Sequence, residues 1–365
     1  MPLESNTKNG INVAMHSKRP DLTTQMAREA AEAPHRASEQ LHRNAALVRE
    51  AGARLRRLAP PFAATLARGS SDQAAGFGKF LLERHAGIPV LSHAPSIGSL
   101  YHATSPHFQD IPVLAISQSG RSPDLLAAAE DAKKQGALIV ALVNDTASPL
   151  AELAEIVIPV HAGPETSVAA TKSFICTLVA LMHLTAEWSQ DPALLAALDA
   201  TGDVLEEAAR ADWSDAVALV RDATQMLVLG RGPTLAIAGE AALKLKETSR
   251  LHAEAFSSAE VAHGPMTLVG DTDPVLALAP LDEARTGLRE RLADFTARGA
   301  QVIAAGHAED IEAARLKLPA TTTAHPVLAA IAQIQSFYGF ANALSIARGH
   351  DPDSPPHLNK VTRTL

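Results

Sequence analysis

The chain has 365 residues, 47% apolar and 20% charged, with a formal net charge of −8. That is ordinary globular composition with length for two cores, so disordered and fibrous classes are excluded. Aromatics make up 4% and no dense basic cluster occurs, so no nucleic-acid partner is expected, although a local site can still receive a small anion.

Residues 1–22 are polar, lack the apolar core of a signal peptide and are expected to be flexible. Helical periodicity covers 23–58, with Pro34 predicted to break it into two helices. A strand over 62–67 runs into Arg68-Gly69-Ser70-Ser71-Asp72, followed by a helix and a strand beginning at Ile88. The apolar run 111–116 enters Ser117-Gln118-Ser119-Gly120-Arg121-Ser122 and then a helix over 123–135 that Gly136 closes. A buried strand over 137–143, a short helix over 148–154 and a strand over 155–160 follow. A long helix over 169–189 carries Cys176, the single cysteine, which reads as a buried small hydrophobe in a protein from a reducing compartment. An acidic helical segment, 190–215, leads to strands at 226–229, 274–279 and 301–305, with helices over 282–298 and 325–348. No apolar stretch reads as long enough to span a bilayer, so a soluble, cytoplasmic protein with no membrane partner is expected. Strands alternating with helices at this spacing predict the α/β class, with doubly wound parallel sheets flanked by helices.

The two halves are alike. VLAISQSGRSPDLLAAAEDAKKQGALIVAL, from Val113, matches VLALAPLDEARTGLRERLADFTARGAQVIAAG, from Val275, and ARGSSD matches GRGPTL. The chain therefore reads as a duplicated α/β unit. Ser117, Ser119 and Ser122 stand opposite Ala279, Leu281 and Ala284, and Ser70 and Ser71 stand opposite Pro233 and Thr234, so only the first copy keeps hydroxyl-rich turns. Turns after parallel strands form the ligand crevice of open sheets. Hydroxyls, free N–H groups and the helix dipole at such turns suit a phosphate monoester, with Gly120 relieving crowding where backbone approaches ligand. One such turn would read as helix capping; two on one sheet edge favour phosphate.

Chemistry is expected in 239–265. No proline or glycine interrupts 240–259, which reads as helical in its first half. Glu240, Lys244 and Glu247 share one stripe, which periodicity alone would leave in solvent. His252, Glu254, Glu260 and His263 follow, so carboxylates, an amine and imidazoles crowd into one span, the parts needed to move protons. No metal motif occurs, so neither metal nor cofactor is expected.

On RGSS (68–71), SQSGRS (117–122), ETSVAATKSF (165–174), EAALKLKE (240–247), HAEAFSSAEVAHGP (252–265) and DPDSPPHLNK ending at Lys360, the chain resembles the sugar isomerase (SIS) family. Within it, the resemblance is to the isomerase half of glucosamine-6-phosphate synthase and to relatives that deaminate glucosamine 6-phosphate. It implies two tandem, flavodoxin-like SIS domains: a flexible 1–22, a phosphate-binding domain over 23–200, a domain with the catalytic helix over 201–350, and a tail, 351–365, that closes the site. Implied phosphate and sugar ligands are Ser70, Ser71, Ser117, Gln118, Ser119 and Ser122, with Val168 and Ala169 touching substrate through backbone. Glu247 would shuttle a proton between C1 and C2, Lys244 and Glu240 would line the site, and His263, supplied across a homodimer interface, would assist ring opening. Lys360 would close over the sugar carbonyl. Ala170, Arg121 and Ala262 depart from the synthase pattern, and no glutaminase segment is present in the chain. The expected reaction is glucosamine 6-phosphate plus water giving fructose 6-phosphate plus ammonia, independent of glutamine. A simple phosphosugar isomerase, a deaminase or deglycase of another amino sugar phosphate, and a non-enzymatic sugar-phosphate sensor are the rival readings.

Overall fold

The computed structural model describes residues 23–101, 103 and 106–360. The expected flexible segment 1–22 and the last five residues of the tail lie outside the described residues. Thr24 caps the first helix, α1 (Gln25–Leu58), its side chain accepting from the Ala27 N–H at 3.1 Å. The break expected at Pro34 does not occur: α1 is one helix with the proline inside it. Proline has no N–H to offer the carbonyl four residues back. That carbonyl, of Ala30, instead accepts from the Gln335 side chain at 3.0 Å, so the missing donor is supplied from another helix.

Strands β1 (Ala63–Leu66), β2 (Val90–Ser92), β3 (Pro112–Ser117), β4 (Leu138–Val143) and β5 (Ile156–Pro159) alternate with α2 (Ser70–Leu81), α3 (Pro95–Ser99), α4 (Pro123–Lys134) and α5 (Pro149–Leu153). Helices α6 (Lys172–Ser189), α7 (Pro192–Asp199), α8 (Thr201–Ala209) and α9 (Asp215–Val220) lead onward. Strands β6 (Gln225–Gly230), β7 (His252–Ser257), β8 (Pro274–Leu278), β9 (Gln301–Ala305) and β10 (Leu316–Leu318) interleave with α10 (Pro233–Ser249) and α11 (Arg285–Ala297), and α12 (Pro326–Ala347) closes the series.

Each set of strands forms a parallel five-stranded sheet, β2-β1-β3-β4-β5 and β7-β6-β8-β9-β10. The order is the same in both, as the expected duplication requires. Register repeats as well: Ala64 pairs with Val113 in the first sheet, and the matching Leu227 pairs with Val275 in the second. Continuous apolar runs become strands buried on both faces, as parallel sheets demand. One face of each sheet packs on its own helices, α4 and α5 or α11. The other faces share a single core containing side chains from α1, α2, α6, α10 and α12. Helix α2 packs directly on α10, which brings the first helix of each unit together. Helix α12, with 22 residues, is long and apolar enough to cross a membrane, contrary to the sequence expectation, but 89% of its apolar window is buried within the protein.

The first half of 239–265 is helical, as expected, and its second half holds a strand that the sequence reading did not include. Helix α10 ends at Ser249, and Arg250 turns the chain with φ 49°. His252–Ser257 is then an edge strand. Ala253 is buried between exposed His252 and Glu254, the alternation of a strand with one face covered. The short strand β10 has no counterpart among the predicted elements.

Candidate active site

In the order β2-β1-β3-β4-β5 the winding reverses between β1 and β3, and a ligand crevice is expected outside their carboxyl ends. A crevice of about 280 Å³ lies there, lined by Arg68, Gly69 and Ser71 after β1, by Ser117 to Ser119 and Ser122 after β3, and by Lys360. Gly69 has φ 56° and ψ −132°, a backbone conformation that side chains resist, and Gly232 repeats it with φ 56° and ψ −127°. The serines do not simply cap helices. Gly69, not a serine, is the N-cap of α2, and Ser122 caps α4 without a side-chain hydrogen bond. Ser117 accepts from the Gly120 N–H at 3.0 Å and Ser119 from the Arg121 N–H at 3.4 Å, which fixes the turn. Gly120 is also crowded by the protein itself: with φ 62°, its Cβ would stand 2.2 Å from the Ser148 hydroxyl.

Ser70 is set apart from the other predicted phosphate ligands. Its hydroxyl donates to Glu240 Oε1 at 3.2 Å, across the seam between α2 and α10. The same oxygen accepts from Tyr338 at 3.4 Å and lies 3.6 Å from the Lys244 ammonium. Lys244 in turn pairs with Glu247. The stripe that periodicity would leave in solvent is therefore largely interior: Glu240 and Lys244 are 0% and 1% exposed, and Glu247 retains 22%. Burial pushes the Glu240 carboxyl up to about 7, opposed by Lys244 and assisted by Glu247. Burial alone would discharge Lys244, but the carboxylates of Glu240 and Glu247 outweigh it and hold its pKa above the ordinary value. Burial, with Glu240 beside it, raises Tyr338. Glu240 Oε2 is buried without a partner among the described residues.

The tail reaches this assembly. Lys360 Nζ donates to Glu165 Oε2 and to the Ser167 carbonyl, each at 2.8 Å. Burial opposes ionisation of Glu165, yet Lys360 and the bonds from Ser173 hold its carboxyl below the usual range. The Val168 N–H donates to the Asp353 carbonyl at 3.2 Å, and the Asp353 carboxylate accepts from the N–H groups of Gln25 and Met26 at 2.7 and 2.6 Å. The tail is thus tied both to the 165–168 loop and to the start of α1. Ala169 is buried beside this lacing. Neither Val168 nor Ala169 lines the crevice.

The remaining expected residues are not brought in. His263, itself exposed, ends a 3-10 turn, Glu260–His263, and its side chain makes no hydrogen bond among the described residues. His252 and Glu254 line a small hollow with Gln225 and Asp273 at the amino end of the second sheet, away from its ligand edge. Among the described residues no three His, Cys, Asp or Glu side chains converge to hold a metal. Sequence reasoning passed over Arg68, Asp124, Glu165 and Tyr338. Arg68 and Glu165 lay inside motifs already singled out, whereas Tyr338, in an apolar helix, carried no signal beyond core.

A duplicated open-sheet protein with an anion-suited crevice at one switch point is the class these features define. The pattern described as the SIS domain matches residues 63–186 and 219–343, one match in each unit. The chain belongs to the SIS domain family. The isomerizing glutamine–fructose-6-phosphate aminotransferase of Zymomonas mobilis is 34% identical over 318 residues, 81% of this chain and 51% of that protein. The chain thus spans about half the length of the curated relatives it matches. A candidate phosphosugar isomerase from Silicibacter pomeroyi superposes with a TM-score of 0.85 at 42% identity, covering 90% of this chain and 100% of that one. The C-terminal domain of glucosamine-fructose-6-phosphate aminotransferase from Francisella tularensis gives a TM-score of 0.82 at 26% identity, covering 93% of this chain and 100% of that domain.

Proposed function

We propose that the chain is a phosphosugar isomerase acting on amino sugar phosphates, converting glucosamine 6-phosphate and water to fructose 6-phosphate and ammonia. The observation that carries this reading is the Ser70–Glu240 hydrogen bond. It joins the serine-bearing turn of one unit to the acid–base helix of the other, so a sugar held by its phosphate would present its head to that helix. The likeness to a candidate phosphosugar isomerase along nearly the whole chain supports the same class.

In this reading the crevice serines and Gln118 hold the phosphate. Glu247, the most accessible carboxylate of the stripe, removes the C2 proton and returns it at C1 through an enolamine. Lys244, kept charged by its two carboxylates, and Lys360 offset negative charge on the C1 oxygen. The resulting fructosimine takes up water and releases ammonia. His263, exposed on its turn, would assist ring opening in the site of a second copy of the chain, as a homodimer would allow. The test is ammonia release from glucosamine 6-phosphate by the purified protein without glutamine. Glu247→Gln should lower kcat by about 100-fold or more. A wild-type rate in that variant would remove Glu247 from the mechanism. Interconversion of sugar phosphates without ammonia would leave a simple aldose–ketose isomerase.

A further inference from the structure

The crevice lining includes two cations, Arg68 and Lys360. They are differently committed. Lys360 has a single ammonium nitrogen, already shared between Glu165 and the Ser167 carbonyl. Arg68 is anchored only through Nε, which donates to Asp124 Oδ2 at 3.0 Å. Its terminal nitrogens make no hydrogen bond among the described residues, and the side chain is 52% exposed. Asp124, 2% exposed, is fixed in turn: its Oδ1 accepts from the Leu125 N–H at 2.9 Å in the first turn of α4. A guanidinium pinned at Nε presents its outer edge in a set direction, with paired N–H donors spaced to match two phosphate oxygens.

The other donors of the crevice are neutral hydroxyls, an amide and backbone N–H groups. Ser70 directs its hydroxyl to Glu240. A dianion entering a protein of net charge −8 meets repulsion at long range, and local positive charge must offset it. We propose that Arg68 is the residue that recognises the phosphate charge, its terminal nitrogens binding phosphate oxygens, with Asp124 as its positioning residue. This rests on the reading of the crevice as a phosphate site and adds the group that distinguishes a sugar phosphate from a neutral sugar. The duplicated unit supplies a control. Arg231 matches Arg68 in the aligned turns, but the position matching Asp124 is Thr286, and the flanking serines are absent.

The experiment is calorimetric titration of inorganic phosphate into the full chain. Arg68→Ala should weaken phosphate binding by about 10- to 100-fold, the range for losing charge-assisted hydrogen bonds, and Arg68→Lys should fall between it and wild type. Arg231→Ala should bind within about twofold of wild type, since it lies outside the crevice. Asp124→Asn should weaken phosphate and raise KM for glucosamine 6-phosphate with kcat retained, a split that a general loss of folding would not give. The double variant Arg68→Ala/Asp124→Asn removes the buried carboxylate that Arg68→Ala would leave unpaired, and it should bind as weakly as Arg68→Ala. Phosphate binding by Arg68→Ala within twofold of wild type overturns this inference alone. Equal weakening in Arg231→Ala also overturns it, by showing only a general charge effect. Failure of the wild type to bind phosphate overturns the crevice reading together with it.

Discussion

Glu240→Gln should stabilise the protein at pH 8 relative to pH 5. The carboxyl is fully buried among Ser70 of α2, Tyr338 of α12, and Lys244 and Glu247 of its own helix. Burial lifts its pKa from 4.5 to about 7. Between these values the folded chain holds a proton that the unfolded chain has released. The associated stability is complete below 4.5 and is lost as pH rises through about 7. At about 1.4 kcal/mol per pH unit, the cost at pH 8 is about 3 kcal/mol, and glutamine, an uncharged isostere, does not incur it. Urea unfolding of both proteins at pH 5 and pH 8, followed by tryptophan fluorescence, measures the difference. Titrating groups remote from Glu240 act equally in both proteins and cancel, and Lys244 keeps its pairing with Glu247 in the variant. Because pH 5 already lies above 4.5, part of the cost is present there, and the variant's advantage should grow by about 2–3 kcal/mol between the two pH values. An unchanged difference would mean that Glu240 is ionised throughout, and that burial does not control this site.

Other predictions follow from single contacts. Gln335→Leu removes the donor to the Ala30 carbonyl and should cost about 1–3 kcal/mol, but little in a Pro34→Ala background where the helix regains its own N–H; a double-mutant cycle by urea unfolding reads the coupling. Asp353→Ala frees the first N–H groups of α1 and should cost about 1 kcal/mol, with faster amide exchange at Gln25 and Met26. Lys360→Met removes a cation that lowers Glu165, whose contribution to stability is present above pH 4.5 and lost as pH falls through its depressed folded value. The variant should therefore show a shallower acid dependence than wild type in a pH titration of unfolding.

The duplication, the sheet class and the crevice turns were legible because they are written locally: apolar runs of strand length, glycines at fixed offsets and serines at strand ends. The errors arose where a distant segment overrules local preference. Pro34 reads as a break until Gln335, three hundred residues later, donates to Ala30. Periodicity alone would leave Glu240 and Lys244 in solvent, and it is α2 and α12 that close over them. The strand at His252–Ser257 was visible in principle as alternation of His252, Ala253, Glu254 and Ala255, but strong helix formers on either side concealed it. Nothing in Tyr338 itself signals a hydrogen bond to Glu240.

The two copies diverge in how they use the same hydroxyl. Thr234, opposite Ser71, is buried and spends its oxygen inside the fold: it donates to the Leu278 carbonyl at 2.8 Å and accepts from the Arg231 N–H at 3.0 Å. Ser71 lines the crevice instead. The glycine before each keeps nearly identical dihedrals, so the divergence lies in side chains and not in backbone. The second turn closes on itself, and its helix instead carries Glu240, Lys244 and Glu247 on the face toward the first unit. The first unit helps to bury that face, and its turn donates to it through Ser70. Neither half is self-sufficient. A chain cut between the two sheets would therefore expose the acid–base stripe to water, where Glu240 would return toward its ordinary pKa and Lys244 would lose the enclosure that couples it to its carboxylates.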